Sequence, residues 1–120
     1  MAKTLADKIR ESRQIEIKVG DITFTARRAT SEEMFAYYQT NHDAPNGVSF
    51  AEICRRHVTG WTGVKESDLI DGGASDSVLF DKSVFDDVIG DNQEWWTYIA
   101  TEVLKTAQER ITKQAESKKK

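Results

Sequence analysis

Between residues 15 and 26 apolar and polar side chains alternate. Ile15, Ile17 and Val19 are separated by Glu16 and Lys18, and Ile22, Phe24 and Ala26 by Thr23 and Thr25. A period of two puts the apolar set of each segment on one face of a strand. Gly20-Asp21 stands between the segments, a Gly-first loop that suits the twist of paired strands, so the pattern predicts a β-hairpin. A lone hairpin is marginal in water, and its apolar face needs other elements against it.

The rest of the chain is spaced for helices. Residues 3–12 mix Leu5 and Ile9 with charges and predict a short, weak helix. Thr30-Ser31-Glu32-Glu33 and Ser49-Phe50-Ala51-Glu52 read as capping boxes. The first opens a helix with Met34, Phe35, Tyr37 and Tyr38, expected to end near Asn41 before a turn at Asp43–Gly47. The second opens a helix with Phe50, Ile53, Cys54 and His57 or Val58 at spacings of three and four, which Gly60 is expected to stop. Residues 62–77 are rich in Gly, Ser and Asp and predict irregular structure. Val78-Leu79-Phe80 is the candidate for a third strand beside the hairpin. Asp81 or Ser83 caps a helix carrying Val84, Phe85, Val88 and Ile89, ended by Gly90. A last helix follows Asp91-Asn92, with Trp96, Ile99, Val103, Ala107 and Ile111 as its stripe and Trp95, Tyr98 and Leu104 beside it.

These elements describe an α+β domain: an N-terminal hairpin, extended by a short third strand, against three or four helices, the C-terminal one long. At 120 residues the chain fits one domain with a real core, assigned to residues 1–112. Residues 113–120 are polar and Lys-rich and are expected to be a flexible tail. The net charge is −3, and the last three residues are lysines, so the body is more acidic still. An acidic body argues against nucleic acid as a partner. One cysteine, Cys54, makes no internal disulfide and suggests a reducing compartment. The start turns polar too soon for a signal peptide, and no apolar run approaches the length of a membrane span.

Candidate chemistry is sparse. Asp68, Asp71 and Asp76 share a Gly-rich loop but lack the alternate-position spacing of a calcium loop. Cys54-x-x-His57 is half of a zinc site, and a nucleophilic reading lacks an oxyanion hole. Both residues are expected on one buried helix face. Gly60-Trp61-Thr62-Gly63 lacks the Lys-Ser/Thr of a phosphate loop, so its glycines are read as permitting a left-handed cap and a tight bend over Trp61. Arg27, Arg28, Arg55, Arg56 and Lys65 are read as solvated or internally paired charges. No catalytic, cofactor or metal site is expected. Two adjacent aromatic pairs remain, Tyr37-Tyr38 and Trp95-Trp96. Neighbours on a helix point about 100° apart, so one member of each pair belongs to the core and the other to its edge or surface. Tyr37, Tyr38, Trp95 and Trp96 are therefore the candidate partner-binding residues.

The order of Val58-Thr59-Gly60-Trp61-Thr62-Gly63-Val64, Val78-Leu79-Phe80-Asp81 and a helical tail with Trp95, Trp96 and Tyr98 resembles the tail assembly chaperones of long-tailed phages over roughly residues 50–100. Relatives in that family often have a proline before the aromatic, where this chain has Leu79. The resemblance implies a non-enzymatic protein of the host bacterial cytoplasm that binds the tape measure protein, keeps it soluble and is missing from the mature virion. It also implies a longer form, made by frameshifting near the Lys-rich end, that recruits tail tube subunits. Arrayed copies on one client would gain avidity, so a homo-oligomer is also expected. The alternatives are a structural tail or head–tail joining subunit, and a small DNA-binding regulator.

Overall fold

The computed structural model describes residues 2–38 and 48–118. The elements are α1 (Leu5–Ser12), β1 (Gln14–Val19), β2 (Ile22–Arg27), α2 (Ser31–Tyr37), α3 (Phe50–His57), β3 (Val58–Thr62), α4 (Glu66–Leu69), α5 (Lys82–Val88) and α6 (Gln93–Lys118). A single 3₁₀ turn, Ile89–Asp91, joins α5 to α6. The fold is α+β, as the patterning predicts. The expected end of α2 near Asn41 and the turn at Asp43–Gly47 lie outside the described residues.

The hairpin forms in the register the alternation dictates, with Ile15 opposite Ala26, Ile17 opposite Phe24 and Val19 opposite Ile22. Gly20 has φ +62° and Asp21 stays negative, the pattern of a type II′ turn. Ile17, Val19, Ile22, Phe24 and Ala26 are buried, while Gln14, Glu16 and Lys18 face solvent.

The third strand is not Val78–Phe80. It is Val58–Thr62, antiparallel to β2, so the sheet order is β1-β2-β3. Helix α3 ends at His57 without a glycine cap, because Val58 turns extended, at φ −74° and ψ 130°, and the chain passes directly into β3. A bulge lies at the middle of this pairing. Thr25 faces Gly60 and Ala26 faces Val58, leaving Thr59 without an opposite residue. The extra residue resets the alternation, and so Val58 and Trp61, three apart, both reach the buried face. Gly60 is a strand residue there and does not have positive φ; Gly63, at φ +83°, makes the bend. Residues 78–80 attach more loosely. Val78 N–H donates to the Val64 carbonyl at 2.8 Å, and Lys65 bridges Ser77.

Helix starts follow local chemistry. The Thr4–Asp7 and Thr30–Glu33 boxes are complete. Ser49 caps α3 through the Glu52 amide at 3.1 Å, but Glu52 does not reach back; its carboxylate pairs instead with Arg55 and Arg56. Asp81 is the cap of α5. That α-helix stops at Val88, and Gly90 lies in the 3₁₀ turn that follows. Asn92 accepts from the Trp95 amide at 3.3 Å to start α6.

The core lies between the sheet and α6, closed by α3 and α5. Its centre is aromatic: Phe24 and Trp95 meet edge to face at 4.9 Å, and Trp61 packs on Phe80 at 5.1 Å and Phe85 at 6.2 Å. Such pairs add about 0.5–1.5 kcal/mol each beyond the area they bury. The Trp61 indole N–H donates to the Val78 carbonyl at 2.8 Å, so this one side chain both fills the core and ties the following loop to it. The buried stripe of α6 is Trp95, Ile99, Ala100, Val103, Leu104 and Ala107, with Trp96 and Ile111 at its margin and Tyr98 exposed. The polar stretch assigned to a tail is helical as far as Lys118. No described helix is long and apolar enough to cross a membrane.

Candidate functional site

Each aromatic pair is split across the core boundary. Tyr37 is 1% exposed and Trp95 is 5% exposed, so neither offers a surface to a partner. Tyr38 and Trp96 are half-buried at the margin. The reason is registry: Met34 and Tyr37, three apart, take the inner face of α2, which leaves Phe35 and Tyr38, also three apart, on the outer one.

Those outer residues border an open groove between α2, α3 and α6, with a volume of about 630 Å³. Met34, Phe35 and Tyr38 form one wall, Phe50 the α3 end, and Leu104 and Ile111 the α6 wall, with Lys105 and Gln108 at the rim. Phe35 is 71% exposed. Trp96 stands behind Phe50, edge to face at 6.3 Å, and holds that ring toward the opening. Of the four predicted residues the structure therefore brings one, Tyr38, to the groove, and places Trp96 as its support. Phe35, Phe50, Leu104 and Ile111 were not predicted. Three aromatics within Phe35–Tyr38 was the available signal, since no single helix face holds them all.

A polar network closes the inner side of α2. Arg27 donates to both oxygens of Glu33, at 2.7 and 2.8 Å, and the Thr30 amide adds a third bond at 2.9 Å. Burial by itself raises the Glu33 pKa. The bidentate arginine, the amide and the nearby His57 outweigh it and bring the carboxyl down to about 2. His57 is fully buried. Its Nδ1 donates to the Arg27 carbonyl at 2.9 Å, which leaves Nε2 to accept from the Tyr37 hydroxyl at 2.8 Å. Burial, then the Arg27 charge, hold its pKa below the ordinary value. Both ring nitrogens are occupied, so the imidazole has no free position for proton transfer to a substrate.

Cys54 is likewise fully buried, and burial pushes its thiol up to about 12. At neutral pH it holds no thiolate, and its Sγ points to the Trp96 carbonyl at 3.7 Å. The expected shared burial of Cys54 and His57 on α3 is what the structure has. Among the described residues no three His, Cys, Asp or Glu side chains converge on a metal position. Asp68 instead caps the short α4 turn, accepting from the Lys65 amide at 2.8 Å. The arginines form no single patch. Arg27 is spent on Glu33, Arg55 and Arg56 on Glu52, and Arg28 is buried just past the end of β2.

What the molecule presents, then, is an open, largely apolar trough with a polar rim. No protein-family model, curated protein or solved structure matches the chain.

Proposed function

We propose that the protein is a non-enzymatic phage tail assembly chaperone that binds the tape measure protein, keeps it in solution and promotes assembly of the tail tube around it. The groove between α2, α3 and α6 is the observation that carries this reading. Its exposed Phe35, half-buried Tyr38 and Phe50, and the Leu104–Ile111 wall fit the apolar stripe of an amphipathic helix. A long helical client repeats such stripes many times. Each contact is small, and many copies along one client supply the strength through avidity. Covering the stripes lowers the free concentration of surface that aggregates. The protein acts in the host cytoplasm during morphogenesis and is absent from the finished particle, and a frameshift-extended form recruits tube subunits.

The test is co-expression with the tape measure protein of the same phage. The wild-type chain should move the client into the soluble fraction and be recovered with it. Phe35→Glu changes an exposed side chain, so it should leave the melting temperature within about 2 °C of wild type and weaken capture about tenfold or more. A client that stays insoluble beside a well-folded partner, or capture indifferent to Phe35→Glu, would refute the proposal. Mass spectrometry of purified particles gives the second arm, in which the chain should be missing.

A further inference from the structure

The two edges of the sheet are not alike. The β3 edge is partly taken. Just past its end the Val78 amide donates to the Val64 carbonyl and Lys65 bridges Ser77, and Lys82 Nζ reaches the Val58 carbonyl at 3.5 Å. The β1 edge is open. β1 pairs with β2 on one side, and among the described residues no further backbone–backbone hydrogen bond involves Gln14–Val19.

The hairpin register fixes which groups are free. Val19 and Ile22 flank the two-residue turn, so they form a hydrogen-bonded pair. Such pairs recur at every second residue, Ile17 with Phe24 and Ile15 with Ala26. The N–H and C=O groups of Gln14, Glu16 and Lys18 therefore point away from β2, and their side chains are exposed too.

An open edge is a template for another strand, and charge on it commonly keeps other chains away. Here the charges are self-complementary. Arg13, Glu16, Lys18 and Asp21 are placed symmetrically about Ile17, and each faces the opposite sign at the same distance on the other side. None of the four has an ion-pair partner among the described residues. An antiparallel second copy centred on Ile17 sets Glu16 against its Lys18 and Lys18 against its Glu16. Arg13 and Asp21 then meet each other across the two ends of the ladder. This centre also puts outward-pointing residues opposite one another, so each Glu16–Lys18 pair exchanges both of its backbone bonds. Centring on Glu16 or on Lys18 satisfies the backbone as well, but it sets Glu16 against Glu16 or Lys18 against Lys18. On the inner face half-buried Ile15 meets Val19 of the second copy.

We propose that β1 is a self-association edge, through which two copies join by antiparallel β1 strands, two-fold symmetric at Ile17, into one continuous sheet. A two-fold contact uses the same patch on both copies and closes, so assembly stops at a dimer. No β1 residue lines the groove between α2, α3 and α6, so both grooves stay open and the dimer is independent of what they bind. A contact one strand long is small, which puts the dissociation constant at about 10 μM.

Sedimentation velocity of the full chain, from about 1 to about 300 μM, reads the association directly and should show a monomer–dimer equilibrium. Glu16→Lys and Lys18→Glu each set like charges opposite in both pairs, and each should weaken dimerisation about tenfold or more. Both side chains are exposed, so the melting temperatures should stay within about 2 °C of wild type. The double variant Glu16→Lys/Lys18→Glu restores opposite signs and should dimerise within about threefold of wild type. The two single variants, each monomeric alone, should form a heterodimer when mixed. A wild-type chain that stays monomeric at the highest concentration would overturn the proposal. So would a dimer that both single variants leave intact, or one that neither the double variant nor the mixture restores.

Discussion

At Glu33 two opposing effects meet on one carboxyl group. Burial favours its neutral form, but the Arg27 fork, the Thr30 amide and His57 favour the carboxylate, and they prevail, so the folded pKa falls from 4.5 to about 2. In the unfolded chain the group takes up its proton nearer 4.5. As pH falls through the interval from 4.5 to about 2, the unfolded state is protonated first, and stability present above the interval is lost within it. His57 adds an earlier loss of the same sign. Its folded pKa is below 6.5, so acidification below 6.5 charges the unfolded chain before the folded one. Glu33→Gln should therefore cost about 2 kcal/mol at pH 7, a figure reduced from the full shift because the pair is partly solvated. Denaturant unfolding from pH 7 down to pH 2 should show that deficit closing toward the acid end. A deficit constant across the range would mean that Glu33 acts by packing and not by charge. The capping role of Glu33 was legible without the structure, since Thr30-x-x-Glu33 is plain in the sequence. Its tie to Arg27 and His57 is not, because those partners are brought together by folding.

At the scale of elements, the strands and helices with local punctuation were legible and the one built across a bulge was not. The hairpin follows from strict alternation around Gly20-Asp21. Residues 58–62 break that alternation, since Val58 and Trp61 are both buried at a spacing of three. A spacing of three reads as helix, and the two glycines read as a stop. Only pairing with β2, with Thr59 bulged out, makes the segment a strand. The glycines then separate in role. A Cβ on Gly63 would sit 2.6 Å from the Asp21 carbonyl oxygen at a φ of +83°, whereas a Cβ on Gly60 would meet Thr25 at an ordinary 3.6 Å. Gly63→Ala is expected to destabilise by about 2–4 kcal/mol, through strain and collision together, and Gly60→Ala by less than about 1 kcal/mol. Thermal melts of the two variants should differ plainly, and similar losses would mean that the bend is not where the strain lies.

For the molecule as a whole, α6 is the organising element, and its two halves do different things. At 26 residues it runs about 39 Å. The half from Trp95 to Ala107 lies across the sheet and buries six side chains; among the described residues beyond it, only Ile111 turns partly inward, as a wall of the groove. This asymmetry is legible as a fall in apolar content after Ile111. The groove itself is not, because its walls come from three helices far apart in sequence and only the fold sets them side by side. The division predicts unequal effects of shortening. Ending the chain after Thr112 removes residues 113–117, all exposed, together with the last three lysines, so the melting temperature should stay within about 3 °C of the full chain, and the intact groove should still capture a helical client. Ending it after Ala100 removes Val103, Leu104 and Ala107. Their burial contributes roughly 5 kcal/mol, comparable to the whole net stability of a domain this size, so this product should fail to fold cooperatively. Circular dichroism melts of both products, with client capture measured on the first, check the division. Loss of capture by the first product at an unchanged melting temperature would place part of the binding surface on Lys113–Lys118 and extend the site along α6 beyond the groove.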